Sequence, residues 1–216
     1  MRRLLKNNYI LYNFTRVTAA PGYLWFRPRY FYAGENARKR IRGGAIVVAN
    51  HSGYFDPVYL MFAIWYRRHH FICMKEFFQG RFRTWLFTQF HCIPIDRENF
   101  SMASLRQITD ELDKGHLISM YPEGKVNTSA QIAPFKSGVA LMAYRSGKPI
   151  IPVYIQPRRH WYSRLMVGIG EPMNVSEMLG TQPSLANFNR VAAELEEREK
   201  RLKALVDSAA ANGGIS

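Results

Sequence analysis

Apolar residues fall into short runs divided by glycines, prolines and polar turns, and the spacing within each run predicts its element. Ala45 to Ala49 (AIVVA) is uniformly apolar and rich in β-branched residues, as a strand buried on both faces must be. Asp56 followed by Pro57 supplies an N-cap and a first-turn proline, which predicts a helix from Pro57 to about Tyr66, closed by Arg67 and Arg68 at its negative end. The intervening NHSGYF is then a strand-to-helix loop. Further strands are expected over Phe71 to Met74, Cys92 to Ile95, His116 to Tyr121, Ile150 to Ile155 and Leu165 to Ile169, with Pro152 pointing to an edge or a bulge. Thr84 to Phe90 reads as a helical piece. Ser101 to Lys114 carries Leu105, Ile108 and Leu112 at helical spacing before Gly115, and Ser137 to Ser146 is a helix stopped by Gly147. From Ser184 to about Ala211 a long helix is expected, and its charged middle, ELEEREKRLK, reads as a solvated surface. Strands alternating with helices predict an α/β domain with a mostly parallel central sheet flanked by helices.

Length adds one constraint: 216 residues hold one compact domain and a modest appendage. The organisation expected is a 1–33 N-terminal amphipathic membrane-associating segment, a 34–183 main domain and a 184–216 charged helix packed on or extending from it. The formal net charge is +14, and residues 1–50 hold ten Lys/Arg against the single acid Glu35. Such a surface attracts phosphates, anionic lipid head groups, nucleic acid or acidic carrier proteins. Between Tyr9 and Tyr32 nine aromatics are mixed with Arg16, Arg27 and Arg29, a combination suited to a membrane interface; a core-packing helix with a solvated basic face is the alternative. No run of 18 or more uncharged apolar residues exists, so a conventional spanning helix is not expected, and MRRLLKNNYILYNF is too interrupted for a cleavable signal. Cys73 and Cys92 make no disulfide framework, which points to a reducing compartment. The adjacent pairs His69-His70 and His91-Cys92 lack further ligands at metal-site spacing, so no metal is expected.

Four stretches carry candidate chemistry. In His51-Ser-Gly-Tyr-Phe-Asp56, a histidine just past a buried strand can be folded against a carboxylate that holds one ring nitrogen and stabilises the charged ring as it forms. On spacing alone, a helix-capping Asp56 and a merely polar His51 remain open. Tyr121-Pro-Glu-Gly-Lys125 also follows a strand, so it belongs on the sheet edge where α/β sites lie; Gly124 allows close approach to the backbone, Glu123 can orient a donor and Lys125 adds charge. Ile93-Pro-Ile-Asp-Arg97 places an arginine suited to phosphate after a short strand, and Ile150-Ile-Pro-Val-Tyr154 reads as core.

Taken in order, NHSGYFD, CIPIDR, YPEGK and IIPVYI resemble the four blocks of the glycerolipid acyltransferase family, and MKEFF resembles its Lys-Glu segment between the first two. The resemblance covers about Ala45 to Ile155 and looks most like the small bacterial 1-acylglycerol-3-phosphate acyltransferases. It implies that His51 and Asp56 are the catalytic pair, that Gly124 (by its backbone N–H or its neighbour's) and Lys75 serve the oxyanion, and that Arg97 with Lys125 or Lys136 binds the acceptor phosphate. Glu123 and Asn127 are supporting residues. Where the family usually has Thr-Arg-Ser after P-E-G, this chain has Lys125-Val126-Asn127, so a second phosphate-binding arginine is missing.

The implied reaction moves a fatty acyl group from acyl-CoA or acyl carrier protein, as co-substrate with no bound cofactor, to the free hydroxyl of 1-acylglycerol 3-phosphate, giving phosphatidate in phospholipid biosynthesis. Glycerol 3-phosphate or another lysolipid is the alternative acceptor. The implied partners are an anionic phospholipid membrane, coenzyme A or acyl carrier protein as donor, and the lysophospholipid, with no nucleic acid. The implied location is the cytoplasmic face of a bacterial cell membrane, peripheral or monotopic. A catalytically silent lipid-binding relative and a basic nucleic-acid binder are the rivals from other classes, and the second leaves H-x4-D beside P-E-G unexplained.

Overall fold

The computed structural model describes residues 9–96, 100–124, 126–127, 131–158, 160, 162–179 and 183–212. A helix, α1 (Ile10–Phe26), leads into β1 (Arg29–Ala33); β2 (Ala45–Ala49), α2 (Asp56–Ala63), β3 (His69–Met74), α3 (Arg81–Gln89) and β4 (Ile93–Ile95) follow. The rest of the chain forms α4 (Met102–Asp113), β5 (Leu117–Met120), α5 (Gly138–Ser146), β6 (Ile150–Ile155), β7 (Met166–Gly170), α6 (Val175–Leu179) and α7 (Leu185–Asn212). The seven strands make one sheet in the order β1-β7-β6-β2-β5-β3-β4. From β6 to β4 every pairing is parallel, and β7 turns antiparallel against β6 with β1 parallel to it. The expected α/β fold with a mostly parallel sheet is the one observed.

Strand alternation divides the core in two. Ile46 and Val48 of β2 face Leu105, Ile108 and Leu112 of α4, Val139 and Met142 of α5, and Val191 and Leu195 of α7. Ala45, Val47 and Ala49 face the other way, against Leu60, Phe62 and Ala63 of α2, with Tyr23 and Phe26 of α1 packed behind them. Both faces of β2 are thus covered, which is why AIVVA has no polar position. Ser101 caps α4 as its sequence requires, its Oγ accepting the Ser104 N–H at 3.1 Å, and Gly147 ends α5 with φ +62°.

Three expectations change, and of the two alternatives for Pro152 the bulge is the one observed. Arg29–Ala33, placed by sequence in the membrane-associating segment, is the outer strand of the sheet, paired with β7 from Arg29↔Met166 to Ala33↔Gly170. Pro152 lies in an interior strand, at a bulge: between the Ile150·Met173 bridge and the Val153↔Ile169 pair, residues 151–152 of β6 oppose residues 170–172. Gly170 leaves room for the proline ring, because a Cβ there would fall 2.6 Å from Pro152 Cγ. α2 ends at Ala63, and Arg67, expected at its negative end, instead donates to the carbonyls of Ile41, Gly43 and Gly115, each at 2.7 Å. Finally, α7 is solvated on one side only, and Val191, Ala192, Leu195, Glu199, Leu202 and Val206 are buried.

Candidate active site

The C-terminal ends of β2 and β5 lie side by side and position the first two candidate stretches against each other. β2 is held at its exit by Asn50, whose side-chain amide donates to the Ile155 carbonyl at 3.0 Å and accepts the Ile155 N–H at 2.8 Å. His51 follows. Its N–H donates to Glu123 Oε1 at 3.0 Å and its carbonyl accepts the Asn127 N–H at 2.7 Å, so the two loops are pinned on both sides of the histidine. Glu123 Oε2 accepts from Asn127 Nδ2 at 2.8 Å and from the Ala133 N–H at 3.1 Å. Glu123 therefore orients the backbone of the histidine and its own loop.

His51 Nδ1 lies 3.0 Å from Asp56 Oδ2, and because a carboxylate only accepts, Nδ1 carries the proton. The same oxygen accepts the N–H groups of Ser52 at 2.6 Å and Gly53 at 2.8 Å, and the Ser52 hydroxyl donates to Oδ1 at 3.3 Å. Asp56 thus begins α2 but caps nothing in it: its carboxylate turns back into the preceding loop, which corrects the helix-cap reading. Its side chain is 3% exposed against 17% for His51, so the dyad is closed at the carboxylate and open at the imidazole edge. The Tyr121 ring stacks on the imidazole, with centroids 4.3 Å apart and planes 17° apart. The Tyr121 hydroxyl is shut off from solvent with no hydrogen-bond partner among the described residues, and burial, followed by the charge of Asp56, pushes its pKa well above 10.

The expected oxyanion donors fare differently. The Gly124 N–H donates to the Tyr121 carbonyl at 3.1 Å, closing a turn in which Gly124 takes φ +79°. The glycine's freedom at positive φ is what allows this left-handed turn. Lys75, just past β3, pairs with Asp96 just past β4 at 2.5 Å, so its ammonium is held by a carboxylate that the sequence reading had not matched to it. Lys136 is exposed, and its N–H donates to the Pro122 carbonyl at 3.3 Å, which seats it beside the P-E-G turn. Arg97 and Lys125 lie outside the described residues.

At the opposite sheet edge the structure assembles what the sequence reading missed. His70, Glu111 and His116 come together from β3, α4 and the residue before β5, which overturns the expectation that no further ligand cluster accompanies His69-His70.

The Acyltransferase family model matches residues 29–156, more than half of the chain. The chain belongs to the Acyltransferase family. It is 27% identical over 167 residues to a Bacillus subtilis protein named 1-acyl-sn-glycerol-3-phosphate acyltransferase, an alignment covering 75% of this chain and 81% of the relative. A Streptococcus pneumoniae protein of the same name is 29% identical over 166 residues, covering 73% of this chain and 61% of that one. Among solved structures, the chain resembles the 1-acyl-sn-glycerophosphate (LPA) acyltransferase PlsC from Thermotoga maritima, with a TM-score of 0.61 and 20% identity over 88% of this acyltransferase-family chain and 77% of the other. At that identity the likeness is one of fold.

Proposed function

We propose that the protein transfers a fatty acyl group from an acyl thioester to the free hydroxyl of 1-acylglycerol 3-phosphate, giving phosphatidate. The observation that carries this reading is the His51–Asp56 dyad at a sheet edge, in a chain whose named relatives are 1-acyl-sn-glycerol-3-phosphate acyltransferases. With Nδ1–H held by Asp56, the lone pair of His51 is on Nε2, where it can take the proton of the acceptor hydroxyl as that oxygen attacks the thioester carbonyl. The C–O bond forms, the tetrahedral oxyanion collapses, the C–S bond breaks and the thiolate leaves with the proton returned by the imidazolium. Asp56 stabilises the charged ring during this cycle, and no acyl-enzyme is needed. Arg97, Lys125 and Lys136 are the cations we assign to the acceptor phosphate. The donor, coenzyme A or acyl carrier protein, is anionic in either case and suits the +14 chain.

We place the protein peripherally on an anionic phospholipid surface, on the cytoplasmic side of a bacterial membrane. Supporting this, α1 exposes Ile10, Phe14, Val17, Leu24 and Trp25, and α3 exposes Phe82 and Trp85. No helix among the described residues is long and apolar enough to cross a membrane. Arg16 is bound to the Trp65 carbonyl, which seats α1 against the end of α2. Each Lys or Arg close to such a surface adds ~1 kcal/mol to attachment.

The test is product detection by mass spectrometry after detergent-purified protein receives acyl-CoA or acyl carrier protein thioesters with lysophosphatidate, glycerol 3-phosphate and neutral lysolipids. Phosphatidate should form from lysophosphatidate, and His51→Ala should lower turnover at least ~100-fold while the circular dichroism spectrum is unchanged. Turnover of another acceptor alone would keep the reaction and overturn the acceptor. Comparable activity in His51→Ala would overturn the mechanism.

A further inference from the structure

Two histidines and a glutamate outside the dyad gather at the other end of the sheet. His70 is the second residue of β3, His116 immediately precedes β5, and Glu111 lies in the last turn of α4. β5 and its flanking residues separate this place from Tyr121 and the dyad by five residue steps, roughly 17 Å at about 3.3 Å per residue. The pairings His69↔Leu117 and His70↔Ile118 bring the start of β3 beside the start of β5, so the two imidazoles are neighbours by register and not by the fall of a loop.

The atoms that converge are of one chemical kind. Glu111 Oε2 lies 2.7 Å from His116 Nδ1 and 3.6 Å from His70 Nδ1. On the other side of the rings, Tyr9 Oη lies 3.1 Å from His70 Nε2 and 3.3 Å from His116 Nε2. His70 and Glu111 are buried, and the rings of His70 and His116 are 4.4 Å apart. Both Nδ1 atoms face Glu111 Oε2, and both Nε2 atoms face Tyr9 Oη. With the ring protons on Nε2, where Tyr9 Oη can accept them, the two Nδ1 lone pairs and the carboxylate oxygen turn toward one point, as the donor atoms of a cation site do.

We propose that His70, Glu111 and His116 bind one divalent transition-metal ion of the zinc class, through two imidazole nitrogens and one carboxylate oxygen, with Tyr9 closing the site from the N-terminal segment. Zinc bonds to nitrogen and oxygen are about 2.0–2.1 Å, so ligand atoms around a tetrahedral ion stand about 3.3 Å apart. The 2.7 and 3.6 Å separations bracket that spacing, and all three ligand atoms can lie within 4.8 Å of one another. Two imidazoles select zinc, cobalt or nickel over magnesium or calcium. Lys114 Nζ holds Glu111 Oε1 at 2.6 Å, which leaves Oε2 for the ion and fixes the carboxylate's orientation. Bound there, the ion ties β3, α4 and β5 together. Because Tyr9 reaches both histidines and stacks on His91 with centroids 4.0 Å apart, the same ion anchors the chain entering α1. This site is independent of the acyl-transfer reading, and its test does not use activity.

The experiment titrates tag-free, chelator-treated full-length protein with Co(II), read by ligand-field absorption, and with Zn(II), read by calorimetry and thermal melting. One ion per chain, tetrahedral Co(II) bands displaced by Zn(II), and a melting temperature raised by Zn(II) are expected. In Glu111→Gln and His116→Asn, each checked for native circular dichroism, affinity should fall at least ~10-fold and the thermal shift should disappear. Absence of stoichiometric binding in the unmodified chain would overturn the proposal. So would undiminished binding in both variants, since the metal would then sit on other residues.

Discussion

Tyr121 contributes two separable things to the site: a ring that flanks His51 and a buried hydroxyl with no hydrogen-bond partner among the described residues. Tyr121→Phe keeps the stack and removes an unsatisfied polar group, so stability should stay level or rise by ~1 kcal/mol and turnover should stay within a few-fold. Tyr121→Ala removes the flank, and turnover should drop well beyond the loss in stability; equal activity in the two variants would show that the stack does not position the imidazole. Such contacts explain what was and was not readable in the chain. His51, Asp56 and Glu123 stood out because a histidine and carboxylates followed apolar strands. The stack on Tyr121 depends on which strands become neighbours, and the Lys75–Asp96 pair, 21 positions apart, depends on β3 and β4 pairing in parallel. Likewise, a glycine in P-E-G announces a turn, but only the folded turn shows that its N–H is already taken by Tyr121.

Among the helices, α7 departs most from its apparent character. Leu195, Glu199, Leu202 and Val206 recur at helical spacing and form one buried stripe, but the charges between them hid it from a reading of ELEEREKRLK. Within that stripe, both oxygens of Glu199 lack hydrogen-bond partners among the described residues, and burial, then the charges of Glu123 and Glu196, push its pKa well above 4.5. The unfolded chain releases this proton near 4.5 while the folded chain holds it, so the carboxyl costs stability as pH rises above that value. Glu199→Met should therefore stabilise the protein by about 1–3 kcal/mol at pH 8 and by less at pH 4, as read from urea unfolding.

β3 contributes with the opposite sign. Burial holds His69, bonded at 2.7 Å to Ser119 Oγ, down to a pKa of about 3 against its ordinary 6.5. Above 6.5 both states are neutral and the stability is intact; as pH falls from 6.5 towards 3 only the unfolded chain takes the proton, and stability is lost by at most about 1.4 kcal/mol per pH unit. His69→Gln should unfold with a shallower pH slope across that window, and an unchanged slope would refute the assignment. The missed strand has an equally physical origin. RYFYA, flanked by Pro28 and Gly34, has the aromatic and arginine content of a membrane interface, and as an edge strand it needs only one partner.

The entire molecule divides its charge and apolar surface between two jobs. α1 buries Tyr12 against the core while Phe14, Leu24 and Trp25 stay exposed. Deleting residues 1–32 to test membrane attachment would also remove most of β1, so the informative variant is Phe14→Ser/Leu24→Ser/Trp25→Ser. It should keep its melting temperature within a few degrees and lose most of its cosedimentation with vesicles containing phosphatidylglycerol. Retained cosedimentation would move the attachment surface elsewhere.

The pairing of β1 with β7 sets an order of events during synthesis. Arg29 meets Met166, so 137 positions separate the partners. At about 5–20 residues per second, the ribosome needs roughly 7 to 27 seconds to make the chain between them. During that interval the first strand lacks its partner β7, and the helix before it carries a tryptophan and a phenylalanine that the finished fold leaves exposed. A nascent chain in that state can meet a lipid surface before its sheet is closed. Attachment during translation would then leave β7 and α7 to complete the sheet on a chain already in place.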